Sequence, residues 1–116
     1  ILLFHNRKWT VEVFVNLLEN AIKYTQQGGT IQIKVCPYEI YTEIQILDNG
    51  CGIHEEETTE IFKRFYRSRE VEHIEGSGIG LYLSNLILEK EKGYMVVKSV
   101  YGEGSCFSVF LQNCKN

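Results

Sequence analysis

Hydrophobic and polar residues recur along this chain with two different periods, and the longest helical pattern lies near its start. Residues 11–24, VEVFVNLLENAIKY, follow the 3.6-residue period of an α-helix. Apolar residues fill most of the circumference, which predicts a mostly buried helix, and the polar stripe must then face an enclosed polar space such as a ligand cavity. Five residues form that stripe: Glu12, Asn16, Glu19, Asn20 and Lys23.

Shorter segments alternate with a period of two, which is the pattern of half-buried β-strands. A turn at 37–41 joins one antiparallel pair of strands, and a glycine-rich turn at 101–105 joins another. The first helix should cover the apolar side of this sheet. The predicted strands are residues 1–4, 30–35, 42–47, 95–100 and 106–111.

The middle of the chain predicts a helix followed by a loop. Residues 55–65 carry acidic side chains in their first turn and Lys63 and Arg64 in their last turn, which is the order that a helix dipole favours. Residues 67–75 are polar and charged without any period. We therefore expect a loop there, of the kind that closes as a lid over a buried site.

A run of glycines, GSGIGL at 76–81, opens the last predicted helix. Unpaired N–H groups and the helix dipole at such a start bind phosphate. The run is not the dinucleotide-binding fingerprint, because no apolar strand precedes it and no βαβ unit surrounds it. The helix should extend to about Lys92 and end at Gly93. Its predicted core face consists of Leu83, Leu86 and Ile87.

Composition and charge narrow the classes of function. The chain has 116 residues, which fits a single domain spanning 1–116, and its formal net charge is −3. The sequence has no basic stripe of the kind that binds nucleic acid. It also has no run of about 18 apolar residues, so we expect no contact with a membrane. The four cysteines lack CxxC spacing, which argues against zinc and favours reduced thiols in a cytoplasmic protein. Because the chain opens directly on a strand pattern, we expect a piece excised from a longer protein.

The turn that follows residues 42–47 has the composition of a binding loop. It reads DNGCG at 48–52. Glycines allow a tight turn and the close approach of a flat ligand, and Asp48 presents a carboxylate to an exocyclic amine. By itself, DNG is also an ordinary turn signature.

The amides of the first helix suggest a second part of the same site. Asn16 and Asn20 lie one turn apart and offer carbonyl oxygens to a hard cation, while Lys23 supplies positive charge to phosphates. This combination suits a metal-bridged polyphosphate. The alternative is a buried helix whose amides are satisfied by the backbone of neighbouring segments.

Five motifs in this order resemble the catalytic ATP-binding domain of sensor histidine kinases, within the superfamily that includes gyrase, the heat-shock chaperone ATPases and the mismatch-repair ATPases. The motifs are NLLENAIKY, DNGCGI, IFKRFYR, GSGIGLYLS and GEGSCF, and the resemblance covers residues 6–111. It implies an α/β two-layer sandwich of the Bergerat type, in which three helices cover one face of a mixed sheet and ATP lies between the helices and a lid.

The resemblance also implies roles for individual residues. Asn20 is similar to the asparagine that binds Mg²⁺, and Asp48 to the aspartate that accepts a hydrogen bond from the adenine amino group. Phe62 and Phe65 look like the aromatic anchors of the lid. The implied catalytic residues are Glu12, Asn16, Lys23 and Arg67, of which Arg67 matches an arginine that reaches toward the γ-phosphate. The implied residues for binding ATP are Asn16, Asn20, Lys23, Tyr24, Asp48, Gly50, Gly52, Ile53, Phe65, Gly76, Ser77, Gly78, Ile79, Gly80, Leu81 and Ser105.

Asn16 bears on the type of reaction. In the hydrolysing members of the superfamily this position resembles a glutamate that activates water, and an amide cannot accept a proton as a general base. The resemblance therefore implies phosphoryl transfer to a protein histidine rather than hydrolysis. Glu12, one turn earlier, either orients the incoming imidazole or is a solvated helix carboxylate.

The implied partners lie outside this sequence. His5, His54 and His73 lack the context of the family's acceptor histidine, so the phosphorylated histidine is expected on a dimerisation hairpin before residue 1. A response regulator would then take the phosphoryl group, and the intact protein would be a homodimer, with its attachment to a membrane left open. Two alternatives remain: an anti-sigma-type serine kinase, and a non-catalytic nucleotide-responsive module of the same superfamily.

Overall fold

The computed structural model describes residues 7–58, 60–63 and 80–113, which form two layers. One layer is a four-stranded sheet in the order β1-β2-β4-β3, with antiparallel pairing throughout. The strands are β1 Ile31–Pro37, β2 Tyr41–Asp48, β3 Tyr94–Val100 and β4 Gly104–Gln112, and the helices are α1 Arg7–Tyr24 and α2 Gly80–Lys90. The predicted α/β sandwich is confirmed, and the strand predicted at 1–4 lies outside the described residues.

The helix-covered face of the sheet carries the core. Strand register places Ile46 of β2 between Ile33 of β1 and Phe107 of β4, so these three side chains share one face. Ile46 and Phe107 are buried, together with Val109 and Leu111 farther along β4. The alternation read from the sequence therefore marks the buried face of β2 and β4. In β1 the expectation of a half-buried strand is wrong at Ile33 and Val35, which are both 57% exposed.

The helix α1 is less buried than its apolar content predicts. Its core face is the narrow stripe of Val13, Leu17 and Ala21, all at most 3% exposed. A second apolar stripe faces outward, and its members are 40–64% exposed: Val11, Val15 and Ile22. The expectation of a mostly buried helix is wrong because, in the described part of the chain, α1 packs against β2 and α2 with only part of its circumference.

The helix α2 turns only part of its predicted face to the core. Leu83 and Leu86 are 37% and 38% exposed, whereas Ser84, Ile87 and Leu88 are buried. Polar contacts also join this face of α2 to α1. The Nδ2 of Asn16 donates to the Oγ of Ser84 at 3.3 Å, and a second contact tethers the other end of α2.

That second contact joins the start of α1 to the residue that follows α2. The Thr10 hydroxyl lies 3.0 Å from both carboxylate oxygens of Glu91, and both side chains are buried. A buried carboxylate needs such hydrogen bonds to offset its desolvation. The helices α1 and α2 therefore run antiparallel, with Thr10 against Glu91 at one end and Asn16 against Ser84 nearer the other. Neither helix is both long and apolar enough to cross a membrane.

The predicted helix at 55–65 is replaced by two single turns of 3₁₀-helix, Glu55–Glu57 and Glu60–Phe62. Hydrogen bonds between residues three positions apart close both turns. The N–H of Thr58 donates to the carbonyl of Glu55, and the N–H of Lys63 donates to the carbonyl of Glu60. The Thr58 hydroxyl also donates to the Glu55 carbonyl at 2.8 Å, and this side-chain bond competes with a continuing α-helix. Ile61 is nevertheless buried, so the segment still anchors to the core.

Candidate functional site

Asp48 ends β2 on the helix-covered face of the sheet, opposite Ile31 on one side and Ser105 on the other. Its Oδ1 accepts the backbone N–H of Gly50 at 2.9 Å, and the backbone N–H of Ser105 donates to the same carboxylate. Burial raises the pKa of Asp48 above its usual 3.8, while these two N–H groups act in the opposite direction. The strand end thus presents a partly desolvated carboxylate held in place by two backbone donors.

The glycines of this turn are needed for contacts within the protein. A Cβ on Gly50 would lie 2.2 Å from the carbonyl oxygen of Tyr24, and one on Gly52 would lie 2.3 Å from that of Val100. Gly104, in the hairpin between β3 and β4, would meet the Asp48 carbonyl oxygen at 2.1 Å. We expected Gly50 and Gly52 to allow both a tight turn and the close approach of a flat ligand. The structure supplies a reason of the first kind, because backbone fills the Cβ side of both glycines.

Gly104→Ala should destabilise the fold strongly. Its φ is +139° and a Cβ would clash with backbone that has little freedom to move, so we expect a loss of about 3 kcal/mol or more in the free energy of unfolding. Gly102→Ala is the matched control in the same hairpin, since its φ is +86° but nothing lies within 4 Å of the added methyl. It should cost only about 1 kcal/mol. Urea unfolding of both variants tests this, and equal losses would contradict it.

The two amides of α1 have different surroundings. Asn16 donates from Nδ2 to the carbonyl of Gly80 at 3.4 Å as well as to Ser84, so neighbouring groups already bind its N–H₂. The Nδ2 of Asn20 is buried and has no hydrogen-bond partner among the residues that the structure describes. An orphaned buried polar atom costs free energy unless a ligand satisfies it. Half a rotation of the amide brings its carbonyl oxygen to the same place, so Asn20 fits a cation as well as an acceptor.

Contacts along α1 bring the two halves of the site together. The backbone N–H of Cys51 donates to the Tyr24 carbonyl at 3.1 Å, so the glycine turn lies against the last residue of α1. Asn20 is one helical turn before Tyr24, and Asn16 is one turn before Asn20. Since Asn16 contacts Gly80, the polar stripe of α1 runs from the start of α2 to the turn that holds Asp48.

The remaining candidates that the structure describes are less specific. Glu12 and Lys23 are exposed and lie on the polar stripe of α1. Ile53 is only 2% exposed and belongs to the core, and Leu81 packs against that core. The other candidates lie outside the described residues: Phe65, Arg67, Gly76, Ser77, Gly78 and Ile79.

A cavity lies beside the glycine turn. It has a volume of about 340 Å³, and its lining includes Asn49, Cys51 and Tyr101. Gly50, one of the residues expected to bind ATP, also lines it, whereas Asp48 and Asn20 do not.

The sequence reasoning missed two serines that shape the site. Ser84 is buried and binds Asn16, and Ser99 binds the end of the glycine turn. Both occur in apolar stretches of helix or strand, where a serine must find a hydrogen-bond partner. This apolar context was the only signal in the sequence, and it does not show which group each serine binds.

A carboxylate at a strand end, an amide stripe on α1 and a glycine at the start of the facing helix thus characterise this α/β sandwich. The chain belongs to the family described as histidine kinase-, DNA gyrase B-, and HSP90-like ATPase, whose family model matches residues 5–114. The resemblance to the catalytic domain of two-component sensor histidine kinases is thereby confirmed.

Individual relatives agree with this assignment. The adaptive-response sensory kinase SasA of Rippkaea orientalis is 38% identical over 90% of this chain, and the sensor histidine kinase RppB of Synechocystis is 38% identical over 83%. The structure of the mycobacterial sensor histidine kinase MprB superposes with a TM-score of 0.84 at 25% identity, covering 96% of this chain and 74% of that one. The chain spans 27% of the length of SasA and 22% of that of RppB.

Proposed function

We propose that this chain binds Mg-ATP and transfers the γ-phosphoryl group to a histidine on the dimerisation hairpin of its own sensor kinase. The observation that carries the proposal is the orphaned Asn20 amide, buried on the helix stripe that connects Gly80 to the turn of Asp48. A polar atom without a partner there is consistent with a ligand that completes its hydrogen bonding.

Adenine would be recognised at the strand end. The ionised carboxylate of Asp48 accepts a hydrogen bond from the exocyclic amino group, while the N–H groups of Gly50 and Ser105 keep the carboxylate fixed. The triphosphate would extend along α1 toward Gly80. The exposed ammonium of Lys23 provides positive charge along that path.

The site also fits a magnesium ion. Asn20 would hold it through its amide oxygen, which suits a hard cation that keeps most of its other ligands as water and phosphate oxygens. When bound, the ion draws charge from the phosphates. The remaining catalytic contribution is positioning, because phosphoryl transfer requires an in-line nucleophile more than it requires covalent help from the protein.

Asn16 accounts for transfer rather than hydrolysis. Its N–H₂ group is bound to the carbonyl of Gly80 and the hydroxyl of Ser84, and no carboxylate stands at this position to activate water. The reaction therefore depends on a nucleophile brought from outside, and we propose the imidazole of the dimerisation hairpin. A response regulator would then accept the phosphoryl group.

Mixing the chain with ATP labelled in the γ-phosphate, magnesium and the purified dimerisation hairpin tests this function. We expect label on the hairpin that is stable to alkali and labile to acid, as phosphohistidine is, and almost no free phosphate when the hairpin is omitted. The control is the same hairpin with its acceptor histidine replaced by glutamine. Alkali-labile, acid-stable label would identify a serine kinase instead. ATP binding without any transfer would favour the non-catalytic nucleotide-responsive module.

A further inference from the structure

Ser99 lies near the end of β3, on the helix-covered face of the sheet, directly opposite Ser105 of β4. Its Oγ accepts the backbone N–H of Ile53 at 2.7 Å and lies 2.9 Å from the carbonyl oxygen of Gly104 and 2.7 Å from the Oγ of Ser105. A hydroxyl has one proton to donate and two lone pairs to accept with. Ser99 uses all of them if it donates to Gly104 and accepts from Ile53 and Ser105.

These three bonds join the two loops on either side of the adenine position. Ile53 ends the glycine turn that begins at Asp48, so Ser99 fixes the far end of that turn. Gly104 and Ser105 begin β4, and the N–H of Ser105 donates to the Asp48 carboxylate. One hydroxyl therefore holds both the turn that contains Asp48 and the neighbour that orients the Asp48 side chain.

Backbone packing makes this arrangement tight. Gly52 lies against the Val100 carbonyl, and the N–H of Gly102 donates to the Cys51 carbonyl at 2.7 Å. The turn and the hairpin thus touch along their backbones, with the Ser99 hydroxyl as the side-chain link between them. A small shift of the hairpin would be transmitted to Asp48.

We propose that Ser99 is a positioning residue for adenine recognition: its hydroxyl sets the place of the Asp48 carboxylate without contacting the nucleotide. The inference rests on the proposed binding of ATP with adenine at Asp48. Changing the base of the nucleotide distinguishes this positioning role from a purely structural one. Inosine triphosphate has a carbonyl where ATP has the amino group, so this position cannot donate to Asp48, and its affinity should depend much less on the position of that carboxylate.

The test measures dissociation constants of Mg-ATP and Mg-inosine triphosphate for the wild-type chain and for Ser99→Ala. We expect ATP to bind about tenfold more weakly to the variant, with inosine triphosphate unchanged. Ser99→Thr keeps the hydroxyl and should restore the preference for ATP, whereas Ser99→Val, of the same shape, should not. Ser108→Ala is the matched control, since Ser108 is a buried serine of β4 on the opposite face of the sheet, and both affinities should stay at their wild-type values.

Amide hydrogen exchange of Ile53 supplies a readout that needs no nucleotide. Its N–H should exchange faster in Ser99→Ala and Ser99→Val than in the wild type and Ser99→Thr, because its acceptor is lost.

Equal losses for ATP and inosine triphosphate, or an unchanged preference for ATP, would overturn the positioning role while leaving ATP binding intact. If the wild type binds both nucleotides equally, adenine recognition at Asp48 itself fails, and the inference fails with it. If Ser99→Ala does not fold, the comparison of Ser99→Thr with Ser99→Val tests the positioning role instead.

Discussion

Asn20→Ala is expected to lower the rate of phosphoryl transfer at least about a hundredfold, because it removes the protein ligand proposed for magnesium. The same substitution should leave the unfolding temperature of the nucleotide-free chain equal or raised. Its Nδ2 is buried without a partner, so truncation removes a desolvation cost of about 1–3 kcal/mol that is set against the lost packing of the amide. Transfer assays and thermal unfolding of one preparation measure both effects.

Two further variants sharpen this expectation. Asn20→Asp keeps the shape but alters the charge beside the phosphates, and transfer should again be lost. Asn85→Ala on α2 is a control for removing an amide from a helix, and it should transfer at the wild-type rate. Near-normal transfer by Asn20→Ala would exclude this residue from the site, and a sharply lower unfolding temperature would show that the amide serves the fold.

Asp48→Asn should weaken ATP binding by roughly 1.5–3 kcal/mol, the value of a charge-assisted hydrogen bond. The amide keeps the size of the side chain but loses the charge, and its N–H₂ group cannot accept from the Gly50 or Ser105 N–H. Titration calorimetry measures the change. Glu103→Gln removes an exposed carboxylate from the hairpin beside the site and should leave the affinity unchanged, whereas equal affinities for wild type and Asp48→Asn would remove Asp48 from the site.

The pH dependence follows from the raised pKa of Asp48. Because its pKa in the folded chain lies above the unfolded value of 3.8, the protonated form favours folding. That contribution to stability is complete below pH 3.8 and is lost as the pH rises through the raised pKa. ATP affinity changes in the opposite direction, since the ionised carboxylate is the better acceptor, and it should fall as the pH is lowered through the same range. Asp48→Asn should abolish the inflections due to this residue.

The sheet could be predicted well because a strand shows a local alternation of apolar and polar residues. The register of Ile33, Ile46 and Phe107 on one face follows directly from the period of two. The orientation of the helices was harder. Leu83, Leu86 and Ile87 were predicted as the core face of α2, but only Ile87 of these is buried. Ser84 and Glu91 instead make polar contacts with α1, and such long-range contacts leave no periodic signal.

The candidate site was predicted in part for the same reason. Asp48 and Asn20 stand out by type and spacing, and the turn that begins at Asp48 contacts Tyr24, one helical turn after Asn20. The tight packing of the glycines was predicted only as a turn, because a turn motif does not reveal which backbone will lie against it. Gly52 meets Val100, a residue 48 positions later in the chain, and only the folded structure brings the two together.

The hydrogen bonds that join α1 to α2 differ in strength between the two ends of this helix pair. At one end a carboxylate accepts from Thr10 at 3.0 Å, while at the other the bonds from Asn16 measure 3.3 and 3.4 Å, which is long for an amide donor. Breaking the weaker pair costs about 1 kcal/mol per bond, whereas losing the Thr10 hydroxyl removes a hydrogen bond from a buried carboxylate and costs more. The Glu91 end is therefore the more sensitive to substitution of the two.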